Sequence, residues 1–548
     1  MTLLLAAVLA HVIADDGSVA CALAAPTAAF PNCEFSPHFN TSATAFGTAT
    51  HTSNATGWSE LYIHSNGEAE ARLQAYAAGY LEGVLSTEGS WQQARSYRET
   101  TFPEGRSSGN FAEAQQFVEE NDRFMNASCS NAELAATGEW SGRCLVWTQL
   151  NGLVAGHMAH APSAAHLTRL DFLYINGLVD LTSVIHKPFE SIDEWTPASA
   201  AAYAMRTTHC SALVKVSADL SELWTAHNTW TGYFTMLRVS KTYDLPFKTT
   251  PAVAARTALF SGYWGTLSSQ DDFFVLSSGL VVQETTNALY NASLAATITP
   301  HSTLTWVRTI VANREAKDGA SWATCFSKNN SGTINNQWMV VDYNKFTPKK
   351  PLPAGTLTIL EQWPLHIEWR DMTQALTTGH WPSYNQPFFL AGRALSGNDA
   401  MYAKLGDAYS YALNPRAKIF RRDAARAENT AGVQAFMRYN EWQSDPFSRA
   451  GYGGPDEGPS SENSIASRYD LVVDSPRSSA KRSPFGNTDA KLVGAADVAA
   501  MRFNGIVGPT HANQTVFAWR GEWARFPHYG QPEAFDFEWQ VLGAAARR

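Results

Sequence analysis

Apolar positions recur every three or four residues through the first third of the chain. The stretches "EAEARLQAYAAGYLEGVLS" from Glu68, "NFAEAQQFVEENDRFMNA", "CLVWTQLNGLVAGHMAH" and "LTRLDFLYINGLVDLTSVI" all carry that spacing, so residues 66–187 are predicted to be largely helical. Before them, 25–65 is turn-rich with short strand-like pieces such as "SELYIHS". After Thr208 the period changes. "CSALVKV", "LWTAHNTW", "FFVLSSGLVVQETT", "WMVVDY" and "GTLTILEQWPLHIEWRDMT" alternate or run fully apolar and are rich in β-branched residues, as strands are. "TLTWVRTIVANREAKDG" and "AENTAGVQAFMRYNEWQ" return to the helical period, "SRAGYGGPDEGPSSENS" is a long loop, and the last hundred residues are mixed. Helices packed on antiparallel sheets, an α+β or layered sandwich, is the architecture this pattern predicts.

A length of 548 residues allows two to four domains. The net charge of −9, with no basic cluster larger than a pair such as Arg421–Arg422, argues against a nucleic-acid partner. Eighteen tryptophans call for large cores or an aromatic-lined cavity. The start, "MTLLLAAVLAHVIADDGSVACALAA", reads as a secretory signal within residues 1–24, with cleavage after Ala14, Ala20 or Ala24. No later apolar run approaches the roughly 20 residues of a transmembrane helix. Sequons at Asn40, Asn54, Asn126, Asn291, Asn329 and Asn513 fit a glycosylated lumenal protein.

Among six cysteines, Cys129 and Cys144 flank the polar "SNAELAATGEWSGR" and are the best disulfide candidates, whose closure is worth about 3 kcal/mol. Cys21 and Cys33 can pair only if the signal is cut before Cys21. Cys325 reads as a core thiol, which leaves Cys210 with no evident partner. Two other motifs are discounted. "GRSSG" (105–109) matches the nucleophile elbow but follows a Pro-Gly loop instead of an apolar strand. His157, His160 and His166 cluster without a carboxylate, and Pro162 breaks their helix, so no metal is expected there.

Cys210 stands at the mouth of a hairpin. If Val216 pairs with Leu223, Cys210 lies opposite Thr229, and His227 is two residues along on the same face. Trp230 then falls on the other parity unless the strand ends or bulges. Taken alone, the pair reads equally well as a buried structural cysteine beside a core histidine.

The blocks "AAGYLEG", "HCSALVK", "AHNTW", "SGLVVQETTN", "NNQWMVVDY", "YNQPFF" and "NPRAKIFRRD" occur in order between about residues 56 and 475. In them the chain resembles the phospholipase B-like family of lysosomal and secreted proteins. The resemblance implies an N-terminal nucleophile (Ntn) hydrolase fold, an αββα sandwich of two antiparallel sheets flanked by helices. It also implies self-cleavage between His209 and Cys210, giving a mainly helical chain to 209 and a catalytic chain 210–548 in one intertwined fold. The Cys210 thiol attacks the preceding carbonyl, and once released its α-amine serves as general base. His227 and Trp230 line the pocket, Asn385 donates to the oxyanion, Arg416 supplies a fixed cation for thiolate, oxyanion or phosphate, and Thr286 offers a pocket hydroxyl. Burial and Arg416 are expected to lower the amine's pKa. No cofactor or metal is required.

Two departures from the family pattern stand out: "EQWPLHIEWRDMT", with an altered pocket wall as the expected result, and the absence of a cysteine pair near "SRAGYGGPDEGPSSEN". The substrate is expected to be a phospholipid ester. The alternatives are an amidase acting on N-acyl amides or peptides, and a self-processed lipid-binding protein without turnover.

Overall fold

The computed structural model describes residues 21–22, 34–35, 44–105, 108–208, 210–449, 458–473 and 479–543. The predicted signal cut, Cys33, His209 and Asn40 lie outside the described residues. The strands that build the two main sheets are β1 (Ala45–Thr50), β2 (Trp58–Ser65), β3 (Ser211–Val216), β4 (Leu223–Asn228), β5 (Arg238–Asp244), β6 (Thr257–Tyr263), β7 (Phe273–Leu276) and β8 (Leu280–Asn287). They continue with β9 (Asn335–Asp342), β10 (Leu357–Trp363), β11 (His366–Asp371), β12 (His380–Ser383), β13 (Asp489–Val493), β14 (Phe503–Val507) and β15 (Gln540–Leu542). One sheet has nine strands in the order β11–β10–β9–β8–β7–β6–β5–β2–β1; the other has six, β12–β3–β4–β13–β14–β15. Every pairing is antiparallel except β2 with β5.

Period-two alternation sorts each strand between two cores. In β3, Ala212, Val214 and Val216 face inward with Val281, Met339, Val341 and Ile359 of the nine-stranded sheet. Leu213 faces outward, with Trp224, Ala226, Leu492 and Ile506, against α8 (Pro415–Asp423) and α9 (Thr430–Met437). The far face of the larger sheet packs Val239, Phe260, Val282, Val340 and Leu360 against α1 (Ala71–Leu85), α6 (Thr305–Glu315) and α7 (Gly319–Phe326). The layers are therefore helix, sheet, sheet, helix. With both faces covered, the strands read as nearly continuous apolar runs even though they are antiparallel, and each fully buried Val or Leu contributes about 1.5–3 kcal/mol.

The long pattern at 167–185 is two short helices, Arg169–Asn176 and Leu178–Ile185, interrupted at Gly177. The helix predicted over 427–443 is only α9, because its last turn gives way to irregular chain after Met437. Between them, α2 (Thr87–Thr101), α3 (Gly109–Ser130), α4 (Ser141–His160) and α5 (Pro197–Thr207) complete the helical third. Cys129, in the last turn of α3, is bonded to Cys144 in α4, with Cα atoms 5.3 Å apart. Such a bond belongs to an oxidising compartment. Among the described residues no helix is long and apolar enough to cross a membrane.

"GRSSG" follows α2 instead of a strand; its central Ser107 lies outside the described residues, and Ser108 caps α3 through the Phe111 N–H. His157 accepts the Leu167 N–H, His166 donates to Ala161 O and His160 meets Tyr80, so the three rings serve separate structural bonds. Cys325 is half-buried beside Glu315 at 3.6 Å, not sealed in a core. Asn54, Asn329 and Asn513 are exposed, whereas Asn126 donates to Asp122 and accepts from Trp147, and Asn291 donates to Leu395 O.

The block "AAGYLEG" has a packing reason. A Cβ on Gly79 would collide with the carbonyl oxygen of Gln149, and one on Gly152 with that of Tyr76, so α1 and α4 touch backbone to backbone. The same block places buried Glu82 on Lys241 at 2.6 Å and on the Tyr243 hydroxyl. Gly79→Ala must push these helices apart. A loss of at least about 2 kcal/mol in urea-unfolding free energy is expected, and an unchanged midpoint would refute this account of the contact.

Candidate active site

The hairpin register is the predicted one: Val216 pairs with Leu223 and Ala212 with His227. Cys210 thus stands immediately before β3, on the face that carries His227. The parity conflict at Trp230 resolves because β4 ends at Asn228; Trp230 opens a separate two-stranded ladder, Trp230–Gly232 with Phe485–Asn487. Cys210 is buried and has φ of +87°, a region that costs a side-chain-bearing residue about 1–3 kcal/mol. Asn385, two residues beyond β12, is also left-handed at φ +63°, a conformation asparagine tolerates better than most.

Arg416 holds these two positions together. Asn414 caps α8 by accepting the Arg416 N–H, and Pro415 occupies the first turn, so the side chain leaves the helix start toward β3. Its Nη1 donates to Cys210 O at 2.8 Å and Ser211 Oγ at 3.2 Å, and its Nη2 donates to Asn385 Oδ1 at 2.6 Å. The guanidinium lies over the Trp230 ring, 4.1 Å from the centroid. A cation is disfavoured at a helix N-terminus, so these four contacts account for its place.

The circuit continues: Asn385 Nδ2 donates to Thr286 O at 2.6 Å, Thr286 Oγ1 to Glu284 Oε2 at 3.2 Å, and Cys210 Sγ faces Glu284 Oε1 at 3.9 Å. His227 Nε2 donates to Glu284 O at 3.0 Å. The predicted residues Cys210, His227, Trp230, Thr286, Asn385 and Arg416 therefore meet in one place, with two differences from the expected arrangement. Arg416 grips the Cys210 carbonyl instead of the sulfur, and the Asn385 amide nitrogen is already engaged by Thr286 O. Far from being a stabilised thiolate, the Cys210 thiol is pushed well up by burial and by the neighbouring Glu284 carboxyl.

The sequence reading missed the charges beneath. Asp271 accepts from Arg238 at 2.7 Å, Thr229 and Ser261 at 2.9 Å, and from Lys491. Asp489 pairs with Arg238 at 2.9 Å and with Lys491 at 2.9 Å. Burial alone would raise Asp271, but Arg238 and then Lys491 overcome it and hold the carboxyl far below its usual range. Burial, with Lys491 second, drives the His227 imidazole well down, so it is neutral. Burial and Asp272 keep Glu284 well up. The available signal was a charge inside an apolar strand: Glu284 in "LVVQETTN", Asp489 and Lys491 in "NTDAKLV". A cavity of about 30 Å³ lies beside Cys210, lined also by Trp230, Tyr263, Asp271, Glu284 and Thr286, and has room for water only. The β10–β11 hairpin, with its divergent "EQWPLHIEWRDMT", is the outer edge of the larger sheet and does not line this cavity, contrary to expectation.

The family model Phospholipase B matches residues 45–542. This chain belongs to the phospholipase B family. It is 38% identical to "Phospholipase B-like protein B" of Dictyostelium discoideum, over 88% of this chain and 82% of that one. It is 37% identical to "Phospholipase B-like protein A" of the same organism, over 89% and 86%. It is 33% identical to "Phospholipase B-like 1" of Homo sapiens, over 91% and 87%. Within this phospholipase B-like chain, the match spans both sheets and every residue of the Cys210 circuit.

The loop that carries Asn385 is anchored by a second buried acid. Glu361 Oε1 accepts from Phe388 N at 2.6 Å and from Gln337 at 2.7 Å, and burial pushes its carboxyl up to about 7. A raised carboxyl favours folding fully below the unfolded value of about 4.5, and that contribution is lost as pH rises to about 7. Glu361→Gln should flatten the fall in unfolding free energy over this interval by roughly 3 kcal/mol. An identical pH slope in the variant would contradict the assignment.

Proposed function

We propose that this phospholipase B-like chain is a self-processing lumenal hydrolase of the secretory or lysosomal route, with Cys210 as its N-terminal nucleophile, that deacylates phospholipids. The observation that carries the reading is the buried Cys210, held at positive φ with its own carbonyl clamped by Arg416. Strain of this kind gathers at functional sites, and here it sits on the amide nitrogen that the cleavage releases.

In the first step the sulfur attacks the carbonyl carbon of residue 209, and the thiol proton passes toward the departing nitrogen. The C–N bond to Cys210 breaks, the nitrogen leaves as an amine carrying the proton, and a thioester remains. Water hydrolyses it, restoring the thiol and leaving a carboxylate on 209. The β2–β5 ladder joins chain from both sides of the cut, so the two pieces stay associated.

Scission also frees the end of α5, whose Tyr203 and Thr207 line a recess that shares Thr286 with the cavity at Cys210. Displacing that end merges the two spaces, which an acyl chain requires. In the mature site the α-amine takes the thiol proton, sulfur attacks the ester carbonyl, and the alcohol departs with that proton. Water then releases the fatty acid. Arg416 fixes the first residue, and Asn385 turns its amide from Thr286 O to the oxyanion.

Two substitutions separate these roles. Arg416→Lys loses the forked contact and the stacking, so self-cleavage should slow at least about 10-fold, read as the fraction of uncut chain over time. Asn385→Ala should lower kcat of the cut enzyme by about 10²–10³ with little change in KM. Assayed side by side on a phospholipid and an N-acyl amide, the wild type should deacylate the phospholipid. Turnover of the amide alone would make it an amidase, and binding without turnover of either would make it a lipid carrier.

A further inference from the structure

The Cys210 sulfur, one imidazole nitrogen of His227 and one carboxylate oxygen of Glu284 lie within 4.8 Å of one another, and all three side chains are buried. A second group, His227 with Asp271 and Asp489, shares the imidazole. Those two carboxylates, however, are already matched by Arg238 and Lys491. Among the described residues Glu284 has no such cation: its carboxylate meets the Thr286 hydroxyl and the Cys210 sulfur.

His227 is prepared in the way a ligating histidine is. Its Nε2–H is given to a backbone carbonyl, Glu284 O, which fixes the tautomer and leaves Nδ1 with a lone pair. That Nδ1 is buried and has no hydrogen-bond partner among the described residues. We propose that Cys210, His227 and Glu284 form a binding site for a thiophilic divalent cation of the zinc class, which caps the sulfur and holds the nucleophile inactive.

The donor set decides the class. Sulfur, imidazole and a single carboxylate suit zinc and exclude calcium or magnesium as the preferred ion. Around a tetrahedral zinc such ligands stand about 3.4–3.6 Å apart, so the present 3.9 Å between sulfur and Glu284 Oε1 needs only a small closure. Binding expels the thiol proton and the Glu284 proton and leaves two anionic ligands on a dication, so the buried site gains no net charge. The adjoining cavity of about 30 Å³ can supply water as the fourth ligand. In the cut protein the Cys210 α-amine can take that position and close a five-membered chelate with its own sulfur. The binding site stands without the proposed function; the silencing of a nucleophile and this last step rest on it.

The test uses the full-length protein, in uncut and cut form, with Zn²⁺ and with Co²⁺ as a spectroscopic probe. One equivalent of Zn²⁺ is expected to bind, Co²⁺ should show a sulfur-to-metal charge-transfer band, and X-ray absorption of the zinc-loaded wild type should find one sulfur with nitrogen and oxygen neighbours. His227→Gln and Glu284→Gln should each weaken Zn²⁺ at least about 10-fold. Cys210→Ser should remove the band, and Cys325→Ser should keep it. A wild-type zinc shell without sulfur would overturn the proposal whatever the state of the 209–210 bond. So would a band that follows Cys325, or affinities unchanged in both ligand variants. Because the absorption measurement needs no substitution, misfolding of a variant does not shield the proposal.

Discussion

The clamp of Arg416 on the carbonyl of Cys210 is the contact around which the site is organised. It is made in a place closed to water, where a charge-assisted bond is strong and an unpaired guanidinium would be costly. The same cation reaches Asn385 Oδ1, Ser211 Oγ and the Trp230 face, so one side chain fixes the start of β3, the loop after β12 and the chain leaving β4. The two ends of the β3–β4 hairpin and a loop from far along the chain are thereby held around one sulfur. Cys210 accepts an unfavourable φ because this frame leaves it no other position.

Beneath the clamp lies a second constraint, the balanced set Arg238, Lys491, Asp271 and Asp489. Two cations and two anions cancel, which lets so many charges sit between the sheets. Burial, with Lys491 adding to it, keeps His227 neutral, and burial pushes the Glu284 and Asp272 carboxyls well up, toward their protonated forms. A neutral imidazole, a protonated carboxyl and a protonated thiol make a quiet site. The cavity beside them, about 30 Å³, has room for water only.

Much of the frame was legible in the sequence because it follows from local rules. Alternation in "CSALVKV" and "LWTAHNTW" fixed the hairpin register, which placed His227 beside Cys210; the polar spacer between Cys129 and Cys144 marked their bond. Asn385 and Arg416 could not be reached that way. They come from separate loops and a helix start, and only the family blocks singled them out. The charged layer was missed for a different reason: nothing local distinguishes Asp271 from a solvated residue until the second sheet covers it, and the charges inside apolar strands, Glu284, Asp489 and Lys491, were the signal left unread. Direction was missed too, since no spacing rule says that Arg416 faces a carbonyl and not the sulfur, or that Asn385 spends its amide on Thr286 O. The helices around Gly177 and after Met437 were overextended because apolar spacing persists where the chain turns.

What the account requires is that the polypeptide bond before Cys210 does not survive in the working protein. Intact mass and N-terminal sequencing of purified, catalytically competent material test this directly. Two associated polypeptides are predicted, the larger beginning with Cys210 and bearing both a free amine and a free thiol. A single uncut chain that is fully active, with residue 209 still joined to Cys210, would contradict it.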